Sequence, residues 1–283
     1  MTRPRTLTLA LCWAWLTLFS LVPLAIILVI ALARPADTVP PFSFAIDPGT
    51  FTIAATDPLY RAAFWLSLRT GTISTIACLL IGYPMALAIA QTRERWRGAL
   101  LLALMLPFWT GFLMRINAWI GMLRDDGWIN AALTSLGFAP VRLLYTDTAL
   151  YIGMVYTYLP FMVLPIYARL AKLDATLLEA AADLGASPSR AFLRVTLPLS
   201  LPGIAAGVAL VFIPCVGEYV IPELLGGPGA QLIGRAMWEE FFQNSDWPMA
   251  ASLAWLLLML LVVLPVCVRA AVKTVHSRVK RVA

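Results

Sequence analysis

Six stretches of the chain are almost wholly apolar, and polar or proline-bearing segments separate them. They fall at about 8–33, 67–90, 98–114, 148–168, 201–223 and 249–268. A helix needs roughly 20 apolar residues to cross about 30 Å of hydrocarbon. All but the third block reach that length; Pro107, Gly111 and Arg115 cut the third short. The runs are continuous, whereas a barrel strand alternates over about ten residues. The pattern therefore predicts an all-α integral membrane protein with six spanning helices, organised as one membrane domain over 1–283.

The connections carry less order. Residues 34–61 are rich in Pro, Asp and Thr and read as a loop. Residues 115–147 and 224–248 read as loops with short interfacial helices, INAWIGML and IGRAMWEEFF among them. No internal repeat is visible.

Composition agrees with the pattern. Hydrophobic residues make up 61% of the chain and charged ones 13%, against about half and about a quarter in soluble domains. Mean hydropathy is +0.83. The first block has a basic start, Arg3 and Arg5, and an ALA at 31–33 that mimics a cleavage site. Its apolar length exceeds the roughly 7–15 residues of a signal-peptide core, so it reads as a retained span. The four cysteines, Cys12, Cys78, Cys215 and Cys267, lie far apart inside apolar blocks and form no CxxC, which predicts buried thiols.

Charge sets the orientation. With the N-terminus in the cytoplasm, segments 1–7, 91–97, 169–200 and 269–283 are inside. They hold Arg3, Arg5, Arg93, Arg95, Arg97, Arg169, Lys172, Arg190, Arg194, Arg269, Lys273, Arg278, Lys280 and Arg281. The outer side carries most of the acids, with Arg69 at the outer mouth of the second span. This is the positive-inside arrangement, and it accounts for the net charge of +6 without nucleic acid.

Enzymatic motifs are missing. None of the three lysines, Lys172, Lys273 and Lys280, follows the glycine of a phosphate-binding GxxxxGK[ST] loop. The only histidine, His276, lies in the basic tail with no nucleophile or metal partner in view. The chain reads as a non-catalytic subunit that binds no cofactor.

One polar interruption remains, EAAADLGASPSRAFLRVTLPLSLPGI at 179–204. TLLEAAADL has helical spacing, and Gly185 supplies a left-handed C-terminus. Ser187 as N-cap and Pro188 at the first position start a second helix, which Leu197 and Pro198 close. Glu179 completes a capping box with Thr176, or the elbow's exposed apolar face receives a partner; local physics leaves both open.

EAA, three residues, Gly185, nine residues and then VTLP resemble the EAA signature of permease subunits of binding-protein-dependent ABC importers. Valine at 195 stands where isoleucine is commoner. The resemblance implies the six-helix importer permease (MetI-like) fold in a bacterial inner membrane, with both termini cytoplasmic. It also implies that the loop at about 169–200 seats in an ATPase subunit. To that contact it assigns Glu179, Ala180, Ala181, Asp183, Gly185, Ala186, Ser187, Pro188, Phe192 and Pro198. The implied partners are two cytoplasmic ATPases holding ATP and magnesium, a second homologous permease (a heterodimer) and a periplasmic binding protein.

LPFWTGFLMRINAWIGMLRDDGWIN (106–130), YTYLPFMVLPIYARLAKLD (156–174) and residues 212–250 look like polyamine-type permeases, the last most of all like the putrescine permease subunits. A polycation crossing low dielectric needs carboxylates and aromatic faces. Glu218, placed roughly 24 Å into the fifth span, is the candidate acid; pairing with Arg115 is its alternative role. Tyr219, Trp109, Trp119 and Tyr156 are candidate aromatic faces, and Glu223 a candidate docking residue nearer the surface. Competing readings are an importer for an opine, another organic cation or an anion, and a secondary transporter.

Overall fold

The computed structural model describes residues 3–174 and 176–263, with side chains from residue 8 onward. The end of the sixth expected span, Cys267, His276 and the basic residues Arg269, Lys273, Arg278, Lys280 and Arg281 lie outside the described residues. Two compact units are present, one of Met1–Phe64 with Ile233–Ala283 and one of Trp65–Leu232.

The first unit contains α1 (Arg3–Ala31), the antiparallel pair β1 (Ala33–Pro35) and β2 (Phe42–Ile46), α2 (Gly49–Thr56) and the first turns of α3 (Pro58–Gln91). The expected loop at 34–61 is thus largely structured. Asp47 explains part of this. Its Oδ1 accepts from Gly49 N–H at 2.9 Å and its Oδ2 from Arg34 Nε at 3.3 Å, joining the hairpin to the start of α2. These bonds hold the Asp47 carboxyl below the usual carboxylate range, the Gly49 N–H contributing most. Farther along lie α12 (Ile233–Trp238), a π turn at Glu239–Gln243 and α13 (Trp247–Val263). Asp246 Oδ1 accepts from Met249 N–H and caps α13. Ser252 Oγ reaches the Ala31 carbonyl at 3.1 Å, tying α13 to the end of α1.

The second unit holds α4 (Glu94–Met105), a 3₁₀ turn (Leu106–Trp109), α5 (Phe112–Leu123), α6 (Trp128–Ser135), α7 (Asp147–Leu170), α8 (Thr176–Asp183), α9 (Pro188–Ala191), α10 (Leu197–Val216) and α11 (Val220–Leu225). Its core is α7 against α10. Gly203 and Gly207, one turn apart, make this approach possible. A Cβ on Gly203 would lie 2.7 Å from the Pro165 carbonyl oxygen, and one on Gly207 2.8 Å from Met162 Sδ. Small residues at such spacing are how helices pack closely in lipid. Arg97 closes the end of α3 by donating from Nη2 to the Ala90 and Thr92 carbonyls.

The expected spans are met unequally. Among the described residues four helices, Thr8–Ala31, Pro58–Gln91, Asp147–Leu170 and Pro188–Val216, are long and apolar enough to cross a membrane. The third block is instead a bent pair, Glu94–Trp109 and Phe112–Ser135, turned by 90° at Thr110 and Gly111. The sixth is described only to Val263.

The fifth span differs most. It begins at Pro188 and ends at Val216, whereas the hydropathy places it at 201–223. Pro198 does not close the elbow. A π turn at Phe192–Thr196 shifts the hydrogen bonding to five residues, with Leu197 N–H donating to the Phe192 carbonyl. That wider turn joins α9 to α10 and brings Pro198, which has no N–H to donate, into the first turn of α10.

Candidate functional site

Two regions of the second unit carry the candidate residues. The elbow comes first. α8 ends in a Schellman arrangement: Gly185 N–H donates to the Ala182 carbonyl at 2.8 Å and Ala186 N–H to the Ala181 carbonyl at 2.9 Å. Gly185 has φ +75°, the left-handed conformation its place in the sequence predicts. Ser187 occupies the N-cap position and Pro188 follows it, but the Ser187 hydroxyl makes no capping bond. The Glu179 capping box is absent as well. The Thr176 N–H it would use goes to Asp174 Oδ1 at 3.0 Å. That bond, with the Thr176 side chain, keeps the Asp174 carboxyl below its ordinary range.

Glu179, Ala180, Asp183, Gly185, Ser187, Pro188 and Pro198 are exposed, and Ala181, Ala186 and Phe192 half-buried. Leu177, Leu178, Leu184 and Leu193 are exposed on the same elbow, Leu184 at 88%. Exposed leucines grouped on one short helix–turn–helix mark it as a candidate docking surface.

Tyr83 of α3 connects the elbow to the bundle. Its ring meets Phe192 edge-on at 5.7 Å, and its hydroxyl lies 3.0 Å from Ser200 Oγ. The sequence reading missed Tyr83, which stands apart in an apolar run with no motif around it.

The second region lies at the far end of the Pro188–Val216 helix. Pro214 cannot bond back to the preceding turn, and the helix stops at Val216. Glu218 therefore sits in the break between α10 and α11, not inside a span. Three donors converge on its carboxylate. Tyr219 N–H and Val220 N–H reach Oε1 at 3.1 and 3.0 Å, and the Tyr158 hydroxyl donates to Oε2. Glu218 does not pair with Arg115.

From Tyr158 an aromatic series leads away from the carboxylate. Tyr158 and Phe161 ring centroids are 6.3 Å apart, and Phe161 meets Phe108 edge-on at 5.3 Å. The Arg115 guanidinium lies 4.8 Å from the Phe108 centroid and 5.7 Å from that of Phe112. Such contacts are worth about 0.5–2 kcal/mol each, most when desolvated. Trp119 and Tyr156 meet edge-on at 5.3 Å and line, with Arg115, a groove of about 430 Å³.

The structure thus brings Glu218 to the Tyr158 hydroxyl and to the backbone of Tyr219, and Trp119 to Tyr156. Trp109 is 77% exposed and does not line the groove, and Glu223 is exposed on α11. In this region Tyr158, Phe161 and Phe108 are the residues that the sequence reading missed. Tyr158 follows Tyr156 by two positions, and helical spacing alone places those two on different faces. Among the described residues no cluster of three or more His, Cys, Asp or Glu side chains is suited to a metal ion.

This architecture, a broken-helix bundle with a protruding elbow, is that of an importer permease. Residues 2–281 match the family described as binding-protein-dependent transport system inner membrane component, and the chain belongs to it. It is a multi-pass membrane protein and a transport subunit. It is 40% identical to the spermidine/putrescine transport system permease protein PotB of Haemophilus influenzae, over 88% of this chain and 87% of that one. Identity to PotB of Escherichia coli is 41%, over 84% and 86%. The fold is shared with a bacterial ABC transporter involved in the import of the acidic polysaccharide alginate, with TM-score 0.74 and 17% identity over 96% of both chains.

Proposed function

We propose that this chain is a pore-forming permease of an ATP-driven importer for a polyamine, spermidine or putrescine, and acts as a single transmembrane domain over its length. The observation that carries the substrate is the likeness to PotB over most of the chain. The carboxylate and aromatic series supply the matching chemistry, since ammonium groups are held by acids and π faces. Glu218 lies where α10 ends, and the carbonyl end of a helix also favours positive charge.

The mechanism follows from continuity. One 29-residue helix, Pro188–Val216, holds the elbow at one end and the Glu218 break at the other, roughly 43 Å away at 1.5 Å per residue. A motor that moves the elbow moves that helix, and Gly203 and Gly207 carry α7 with it. Tyr158 on α7 and Glu218 beyond α10 then shift together or part. ATP binding and release bias the two pore states by differing affinity for the elbow.

In this reading Glu179, Ala180, Ala181, Asp183, Gly185, Ala186, Ser187, Pro188 and Phe192 contact an ATPase subunit, and Pro198 passes the motion on. ATP and magnesium stay on that partner; this chain catalyses nothing and holds no cofactor. Two ATPases, a second permease and a periplasmic binding protein complete the machine, with both termini of this chain in the cytoplasm. Co-purification with these partners, followed by ATPase assays across putrescine, spermidine, an opine and an anion, tests the assignment. Stimulation by polyamines alone is expected, and stimulation by another ligand class alone refutes it.

A further inference from the structure

We propose that Arg115 is a tethered cation that seals the route against small inorganic cations, and that a polyamine displaces it from its aromatic seats. The inference rests on the polyamine-permease reading and goes beyond it to a residue with its own role. Arginine in an apolar membrane segment is ordinarily paired with a carboxylate or carbonyl. Arg115 is held differently. Its Nε and Nη1 are buried without a hydrogen-bond partner, and it forms no ion pair among the described residues. Phe108 and Phe112 hold its charge instead, at 4.8 and 5.7 Å.

Those are the surfaces a protonated amine needs. Through Phe108 and Phe161 they lead to Tyr158 and Glu218. A fixed positive charge beside a pathway raises a barrier to cations, as arginine does in selective channels. Sodium and potassium keep their hydration and gain little from Phe108. An alkyl ammonium exchanges with the guanidinium contact for contact at Phe108 and Phe112. The groove bounded by Trp119 and Tyr156 gives the displaced side chain room.

The test is ion leak through the complete importer in liposomes, read with potassium- and sodium-sensitive dyes and no substrate present. Arg115→Gln is expected to raise the leak on the order of tenfold, equal to about 1.4 kcal/mol of lost barrier. Arg115→Lys keeps the charge and stays tight. Phe108→Leu keeps the charge, removes its nearer seat and also leaks. An assembled Arg115→Gln importer as tight as the wild type overturns the proposal. Should that variant fail to assemble, a tight Phe108→Leu importer overturns it. Because the leak needs no substrate, its outcome is separate from the polyamine assignment. A leaky variant of a transporter that ignores polyamines keeps the seal and sinks the substrate. A tight variant of one that imports them does the reverse.

Discussion

The Tyr158 hydroxyl donates to Glu218 Oε2, so that α7 holds the acid lying in the break beyond α10. Removing the hydroxyl leaves the carboxylate with two backbone donors. A hydrogen bond to a charged group is worth about 1.5–3 kcal/mol. Tyr158→Phe is expected to weaken uptake by roughly ten- to a hundredfold if that energy separates the pore states, with membrane insertion intact. Initial rates of labelled polyamine uptake measure it; wild-type rates would show the bond to be idle.

Gly185 has no neighbouring atom within 4 Å of an added Cβ, so a substitution there acts through backbone conformation alone. A β-branched residue at φ +75° costs about 1–2 kcal/mol, while asparagine tolerates that region. Gly185→Val is expected to abolish substrate-stimulated ATP hydrolysis in the assembled importer, and Gly185→Asn to retain most of it. Equal behaviour of the two variants contradicts the elbow geometry.

The α7–α10 seam gives a stability prediction. A Cβ on Gly203 meets the Pro165 carbonyl, which is backbone and has little freedom to move. Overpacking of this kind costs about 1–3 kcal/mol. Gly203→Val is expected to lower the melting temperature in detergent, and Gly98→Ala, in helix α4 with nothing within 4 Å, to hold or slightly raise it.

The elbow's first helix is capped by a titrating group. Hydrogen bonding from Thr176 keeps the Asp174 carboxyl low, so the folded elbow takes up this proton at lower pH than the unfolded chain. The cap's contribution is therefore complete above the unfolded value of about 3.9, and it is lost as pH falls through the lower folded value. Protection of the Thr176 amide against exchange is expected to hold from neutral pH down to about 3.9, to fall as pH drops through the lower folded value, and to be reduced already at neutral pH in Asp174→Ala.

Much of this was legible in the residues because lipid makes hydropathy a strong signal. Span four emerged nearly at its hydropathic limits, span two kept its end but began at Pro58, well ahead of its hydropathic start, and Gly185 announced its left-handed turn. The ends of span five did not. Pro198 reads as a stop, and only the π turn at Phe192–Thr196 lets the helix pass through it. Glu218 was found as an acid in an apolar run, yet its position in a break depended on Pro214 and Gly217 acting together. Tyr158, Phe161, Phe108 and Tyr83 were invisible because an aromatic in a membrane helix announces no partner. Their roles come largely from contacts across 53 to 117 residues of chain, which no local pattern encodes. Trp109 was chosen on residue type and is exposed, outside the groove that Trp119 and Tyr156 line.

The central claim is that the Glu218 carboxylate serves a polycation carried by a machine gripping the elbow. Its most direct measurement is ATP-dependent uptake of labelled putrescine and spermidine by the reconstituted importer, with wild-type chain and with Glu218→Gln. The account predicts saturable uptake by the wild type and near-complete loss in the variant, with assembly and basal ATP hydrolysis preserved. Full uptake by Glu218→Gln, or no polyamine uptake by the intact importer, contradicts it.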